Sequence, residues 1–138
     1  MIVSHQLDHL LPHRAPMILL DELISSRADQ VIASVAIKEG IPFFRKGSVP
    51  VYVGLEYMAQ ACALWSGCLA KENNEAPAVG YLLGTRDFHA TDSHFNSGEE
   101  LTVVANLEYL EDGMGRFDCS IKRNDQTVAT AHVSVYQP

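Results

Sequence analysis

The sequence has no long apolar run and no surplus of basic residues, and each absence removes a class of function. No apolar stretch among its 138 residues reaches the length of a membrane-spanning helix. Because 17 acidic residues face 10 basic ones, a net charge of −7, binding to a nucleic-acid backbone is not expected. The first residues show no basic region followed by an apolar core, so we expect a cytoplasmic protein.

Cysteine is scarce, with Cys62, Cys68 and Cys119 as the three cases and no CxxC spacing. The odd count and the apolar neighbours predict reduced, buried thiols rather than disulfides. Cys62 and Cys68 lie six residues apart, which puts them on different faces of a helix. A zinc site is therefore not expected, and nothing in the sequence indicates another metal or a cofactor.

The overall amino-acid composition is that of a globular protein. Hydrophobic residues make up 47% of the chain and charged residues 20%. There are no repeats and no low-complexity linker, so residues 1–138 are expected to form a single domain.

The first third of the chain combines short periodic segments with breaks. Residues 4–11 predict a short amphipathic helix that Ser4 would cap. Residues 17–26 and 29–38 predict two strands, the second with alternating apolar positions. Residues 40–50, rich in Gly and Pro, predict a loop.

One long helix is predicted from about Val51 to Glu72, with Ser48 as its cap and Pro50 in its first turn. Apolar residues surround this segment almost completely, so it should be buried on most sides. Glu56 lies inside it, and a carboxylate is costly to bury without partners. This residue is therefore a candidate functional group.

The chain after the helix is predicted to consist of β-strands. Strands are predicted over residues 78–90, 100–111, 115–123 and 127–136, with hairpin turns at Asp112-Gly113 and Asn124-Asp125. The order β-β-α-β-β-β-β predicts an α+β protein in which a curved antiparallel sheet of about six strands wraps one long helix, the hotdog fold. We expect such a sheet to pair by its edge with a second hotdog chain, in a homodimer or a heterodimer.

Two segments resemble the β-hydroxyacyl-acyl carrier protein dehydratases of fatty-acid synthesis. Residues 10–21 resemble the family's entry segment LPHRxPxLLxD, and residues 50–61 resemble the stretch PGxxxLExMAQ that opens its central helix. Weaker similarities follow at Arg86-Asp87-Phe88 and at residues 95–99. Within the superfamily, the chain most resembles the dehydratase-like proteins of aryl-polyene lipid clusters.

The resemblance implies an acyl thioester as substrate, carried by an acyl carrier protein or by CoA, and it implies which residues act. Glu56 is the expected catalytic acid, and Gln60, one helical turn later, is a candidate to orient it or a water molecule. For Gln60 alone, a buried amide that closes a hydrogen-bond network is the commoner explanation. Relatives use a glycine N–H at the position of Val51 to hold the thioester carbonyl. The expected substrate contacts are Pro50, Val51, Tyr52, Phe44 and Phe88.

The chain departs from the family where relatives carry their catalytic histidine, in the pattern PFFxGHFPxxPxxPG. Here Pro42-Phe43-Phe44 is followed directly by the short stretch 45–50, and the histidine is gone. The candidates for a substitute base are His13, His89 and His94, although a structural role for His13 and an exposed loop position for the other two are the commoner explanations.

The same short stretch contains Arg45-Lys46, two adjacent cations in an acidic chain. An acidic carrier protein would be repelled by an acidic surface unless a local basic patch received it. We expect Arg45 and Lys46 to be that patch.

Three hypotheses follow for the function. The first is a dehydratase or isomerase acting on carrier-bound 3-hydroxyacyl chains. The second is a hotdog thioesterase, in which Glu56 alone would act as base or nucleophile. The third is a non-catalytic subunit that lends Glu56 to the histidine of an active partner. A purely structural Glu56 is the remaining alternative.

Overall fold

A computed structural model describes residues 2–3, 7, 9–11, 17–75 and 81–136 of the chain. In these residues one long helix, α1 (Gly54–Glu72), follows a single 3-10 turn at Val51–Val53. The strands in chain order are β1 (Ile2–Val3), β2 (Glu22–Arg27), β3 (Gln30–Ala36), β4 (Ser48–Pro50), β5 (Tyr81–Ala90), β6 (His94–Asn96), β7 (Glu100–Glu111), β8 (Met114–Arg123) and β9 (Gln126–Tyr136).

Seven of these strands form one antiparallel sheet in the order β1-β2-β3-β7-β8-β9-β5, and α1 packs against its central strands. The strand β4, just before the helix in sequence, pairs with β6, which follows β5, in a separate two-stranded ribbon. The predicted hotdog fold is confirmed. Because the order ends at β5, this ten-residue strand lies on an edge of the sheet.

The C-terminal meander matches its prediction closely. The strands β7, β8 and β9 begin within one residue of the predicted positions and end at them. Both connecting turns have positive φ at their two central residues, 52° and 81° at Asp112-Gly113 and 51° and 63° at Asn124-Asp125. Two consecutive positive φ angles characterise the type I′ turn, whose twist matches that of the paired strands.

The helix α1 is buried on most sides, as its composition predicts. The ring of Trp65 meets Phe117 of β8 edge-to-face with centroids 5.6 Å apart, and its indole N–H donates to the carbonyl of Ala28 at 3.0 Å. These contacts hold the C-terminal half of the helix against both the sheet and the β2–β3 turn.

Two of the three thiols belong to this core. The sulfur atoms of Cys62 on α1 and Cys119 on β8 lie 3.8 Å apart, and both residues are buried. Burial, together with the neighbouring thiol, raises the pKa of Cys62 well above its ordinary value. Cys68 is half-buried, and all three are free cysteines.

The N-terminal half differs from its prediction at several points. The strand predicted at 17–26 covers only Glu22–Arg27, because the backbone at residues 17 and 19 bonds to a helix side chain instead of a strand. The strand predicted at 29–38 is confirmed over Gln30–Ala36. Of the predicted helix 4–11, only residues 7 and 9–11 are described, and Leu10 and Leu11 both donate to the carbonyl of Leu7.

The start of α1 was also predicted incorrectly. Ser48 does not cap the helix, because it lies in β4 and pairs with Asn96 of β6. The helix begins after Val53, which makes no side-chain cap bond. The ribbon of β4 and β6 was not predicted, since each strand has three residues and Pro50 ends the first.

The contact between α1 and the N-terminal segment requires glycine at position 67. A Cβ built on Gly67 would overlap the carbonyl oxygen of Leu10. The backbone of Leu10 is itself buried and bonded to Leu7, so it has little room to move. The N-terminal segment therefore lies directly on the helix backbone.

We predict that Gly67→Ala lowers the free energy of unfolding by about 3 kcal/mol, because either the helix or the segment at Leu10 must move. Gly84→Ala on β5 is the matched control, since a Cβ there meets nothing within 4 Å. The control should change the free energy by less than about 0.5 kcal/mol. Equal urea midpoints for the two variants would show that this close contact is absent.

Candidate active site

The buried amide of Gln60 organises the first half of α1. Its Oε1 accepts the N–H of Leu19 at 2.8 Å, and its Nε2 donates to the carbonyl of Met17 at 2.6 Å. The remaining Nε2 hydrogen points to Oε1 of Glu56, 3.3 Å away. Because Gln60 is completely buried, these bonds satisfy an amide that would otherwise be costly to bury.

Glu56 is half-buried in the first turn of α1, where the helix dipole favours a negative charge. The bond from Gln60 fixes one of its carboxylate oxygens. The predicted relation of the two residues, four positions apart on one helix face, is therefore present as a contact. A carboxyl group held in this way can give a proton in its acid form, or take one in its ionised form, at a defined place.

The segment before β2 is fixed by a second motif residue, Asp21. Its Oδ2 accepts the N–H of Ala36 at 2.6 Å, and its own N–H donates to the carbonyl of Ser34. These bonds continue the pairing of β2 with β3 by one residue. Asp21 and Gln60 together hold residues 17–21 across the first half of the helix.

Tyr57 carries a buried hydroxyl group that the sequence does not predict, because an aromatic residue in an apolar helix is most simply a core residue. Its ring is 1% exposed and stacks near Phe95, with centroids 6.2 Å apart. Its hydroxyl is buried without a hydrogen-bond partner. Burial, and to a lesser degree the charge of Asp21, raises the pKa of Tyr57 to about 12.

The residues expected to hold the thioester lie at the start of the helix. The N–H of Val51 already donates to the carbonyl of Ser93 at 2.9 Å, which differs from the role that the resemblance implies for it. Pro50 pairs with His94, and Tyr52 is 67% exposed in the 3-10 turn. The first N–H groups of a helix have no partner within it, so Tyr52 and Val53 are the remaining backbone donors of this turn.

The two phenylalanines predicted as substrate contacts are partly buried against the core. Phe44 lies in the loop before β4, and Phe88 lies on β5. Both therefore have a structural role in packing.

The predicted cations and one predicted histidine come together in a cleft of about 620 Å³. Its lining residues are Arg45, Lys46, Ser48, Pro50 and His94. Nδ1 of His94 lies 2.9 Å from the hydroxyl oxygen of Ser93. The structure thus places His94 beside Arg45 and Lys46, a grouping that their distance in the sequence does not indicate.

The other two histidine candidates have different positions. His89 is exposed on β5, opposite Thr130 of β9. His13 lies outside the described residues, as does most of the LPHR motif.

Two kinds of feature are absent from the described part of the chain. No group of histidine, cysteine and acidic residues there is arranged to hold a metal ion. None of its helices combines the length and the hydropathy of a membrane span.

Comparison with known proteins identifies what the chain resembles. The family model of the ApeP-like proteins, described as ApeP dehydratase, matches residues 5–138. The 3-hydroxyacyl-[acyl-carrier-protein] dehydratase FabZ of Paracidovorax citrulli is 29% identical over 141 residues, covering 96% of this chain and 94% of the relative.

Solved structures with a similar fold are also known. The dehydratase heterocomplex ApeI:P from Xenorhabdus doucetiae contains a chain that is 33% identical, with a TM-score of 0.91 over 96% of this chain and 90% of that one. A hypothetical thioesterase with coenzyme A from Streptococcus pneumoniae has a TM-score of 0.67 at 13% identity, over 85% and 84% of the two chains. At that identity the second similarity shows the fold alone.

We predict that Tyr57→Phe stabilises the protein by about 1 kcal/mol at neutral pH, because it removes a buried hydroxyl without a partner. The pKa of this phenol rises from 10.0 to about 12 on folding, so the wild type should lose stability as the pH rises through this range. The phenylalanine variant should lack that part of the loss. Urea unfolding at neutral and alkaline pH measures both effects.

The matched control is Tyr52→Phe, which removes an exposed hydroxyl and should change neither quantity. A destabilised Tyr57→Phe variant would mean that the hydroxyl has a partner in solution.

Proposed function

The chain belongs to the family of ApeP-like dehydratases, and from that premise we propose that it forms one half of a dehydratase for carrier-bound 3-hydroxyacyl thioesters. Glu56 is the acid of the shared site, and a second hotdog chain supplies the base. The observation that carries this proposal is the bond by which the buried amide of Gln60 holds the Glu56 carboxylate.

The reaction explains why two groups are needed. Removal of water from a 3-hydroxyacyl thioester takes a proton from C2 and expels the hydroxyl group from C3. A base must face C2, and an acid must protonate the departing oxygen. N–H donors must also stabilise the negative charge that develops on the thioester oxygen.

Glu56 suits the acid role because both the start of its helix and the side chain of Gln60 fix its position. Its helix starts only two residues earlier, and Gln60 one turn later orients its carboxylate. Gln60 cannot turn away, since its other bonds go to the backbone of Met17 and Leu19. In this proposal Gln60 is a positioning residue, and the carboxyl group of Glu56 is the proton donor to the hydroxyl at C3.

The thioester oxygen would be received at the start of the same helix. Since the N–H of Val51 is engaged by Ser93, the proposal assigns this task to the following N–H groups, of Tyr52 and Val53. They lie at the positive end of the helix dipole, which favours developing negative charge.

The base is proposed to come from a partner because the loop that carries it in relatives is shortened here. His94 faces the cationic cleft, and His89 is exposed on β5. The solved relative is a dehydratase heterocomplex, which supports a pair of unlike hotdog chains. A partner that keeps the histidine loop would complete the site.

The strand β5 is the proposed contact with that partner. It ends the order of the main sheet, so its outer edge has no strand beside it among the described residues. Leu82 and Leu83 on this strand are 51% and 52% exposed. An edge strand with exposed apolar side chains is typical of a sheet that continues into a second chain.

We predict that Glu56→Gln lowers the dehydration rate of the complex about a hundredfold or more, because the amide cannot donate the proton that general-acid catalysis requires. The chain is mixed with a hotdog dehydratase that keeps the histidine, and loss of water from a 3-hydroxyacyl carrier protein is followed by mass spectrometry. Release of free thiol is measured separately.

The control is Glu72→Gln, which makes the same change at an exposed position at the end of the same helix. It should leave the rate unchanged. A full rate with Glu56→Gln would refute the role of Glu56. Free thiol that depends on Glu56 would instead identify a thioesterase.

We predict that Leu83→Lys weakens association with the partner, because it places a charge at the proposed sheet contact. Leu110→Lys on β7 is the control, since Leu110 is also 52% exposed but lies three strands from the β5 edge. Dissociation constants from sedimentation should rise about tenfold or more for the first variant only. An equal effect of both variants would place the contact elsewhere.

A further inference from the structure

The cleft before the helix is built on a tight, hydrogen-bonded turn. Arg45 and Ser48 exchange two backbone hydrogen bonds, of 2.8 and 3.1 Å, around Lys46-Gly47. The φ angles of Lys46 and Gly47 are 52° and 86°, the two positive values of a type I′ turn. Gly47 also accepts the N–H of Ser97 at 2.9 Å, which ties the turn to the end of β6.

The fold therefore brings three basic side chains together without a flexible loop. Arg45 and Lys46 are carried by the turn, and His94 comes from the neighbouring strand β6. Because Nδ1 of His94 is near the hydroxyl of Ser93, its Nε2 is the nitrogen left to face a ligand. Ser48 adds a hydroxyl to the same lining.

The charge of this cleft is not neutralised by its surroundings. The chain has a net charge of −7, yet Arg45 and Lys46 have no ion-pair partner within the described residues. The acids nearest in sequence to β6 are Asp92 and Glu99, and both are paired with Arg123 at 2.8 Å. Two exposed cations side by side in an acidic protein repel each other unless an anion joins them.

We propose that this cleft binds the phosphate group of a phosphopantetheine thioester, with Arg45, Lys46 and His94 as its donors. This inference rests on the proposed function and names the part of the substrate that the chain recognises. A phosphate offers several acceptor oxygens, which matches an Arg, a Lys, an imidazole and a hydroxyl better than a carboxylate would. His94 then anchors the substrate and is not the substitute base.

The position of the cleft suits such an anchor. Pro50 lines it and leads directly into the 3-10 turn and α1. A phosphate held by Arg45 and Lys46 would leave the pantetheine arm to run past Pro50 to the helix N-terminus, where the thioester is proposed to bind. The thioester at the far end of the arm would then be guided along the helix start towards Glu56.

The test measures binding and needs no turnover. The full chain is titrated with 4′-phosphopantetheine and with pantetheine, which lacks the phosphate, and binding is followed by calorimetry or NMR. The wild type should bind the phosphorylated arm more tightly. Arg45→Ala/Lys46→Ala should weaken binding of that arm about tenfold or more, and His94→Gln should weaken it severalfold, because charge-assisted bonds are lost.

The control is Lys38→Ala/Lys71→Ala, which changes the net charge equally at exposed positions outside the cleft. It should leave the affinity for phosphopantetheine unchanged, and pantetheine should bind all variants alike. Equal affinity of the wild type for both arms would overturn the proposal. So would equal weakening by the cleft and control variants.

Two further titrations identify which molecule carries the phosphate. Holo-carrier protein and CoA both present the pantetheine phosphate, and the one whose affinity falls more in Arg45→Ala/Lys46→Ala is the natural bearer. The result is independent of Glu56. A cleft that binds phosphopantetheine while Glu56→Gln keeps full activity would refute the proposed catalytic role and leave this site standing.

Discussion

A fully buried amide has to satisfy its oxygen and both of its hydrogens inside the protein, and Gln60 does so by joining three parts of the molecule. Two of its bonds go to the backbone at residues 17 and 19, and the third goes to Glu56. The first half of α1, the entry segment and the candidate acid are thereby placed relative to one another. Asp21 continues this order by fixing the same segment to β3.

The shortened loop before the helix lacks the histidine that relatives carry there. The stretch from Arg45 to Ser48 closes in a tight turn where relatives extend a longer loop with a histidine. The cleft beside this turn is lined by Arg45, Lys46 and His94. These features are the grounds on which we propose acid chemistry and substrate anchoring for this chain and the base for a partner at β5.

The parts of the fold that depend on local signals were predicted well. The strands of the C-terminal meander alternate regularly, and Asp112-Gly113 and Asn124-Asp125 are turn sequences whose effect is local. Residues 17–21 were predicted as strand because their apolar run has the composition of one. Their backbone is instead held by side chains from distant positions, Gln60 among them, which no local pattern contains.

The residues of the candidate site also divide into those that local sequence signals reveal and those that only the folded structure reveals. Glu56 was found because a carboxylate in an apolar helix is conspicuous, and its spacing to Gln60 follows from helix geometry. Tyr57 was missed because an unsatisfied hydroxyl is visible only once its surroundings are known. His94 was predicted only as a candidate base, and its position beside Arg45 was missed, since that proximity arises from the pairing of β4 with β6.

The sequence by itself therefore determined the hotdog fold, the long buried helix and the place of the candidate acid Glu56 in it, because periodicity and turn chemistry act between neighbouring residues. Only the tertiary structure decided that the N–H of Val51 donates to the carbonyl of Ser93. It also decided that the side chains of Arg45, Lys46 and His94 line one cleft. These features depend on contacts between residues more than forty positions apart, and such contacts exist only after the chain has folded.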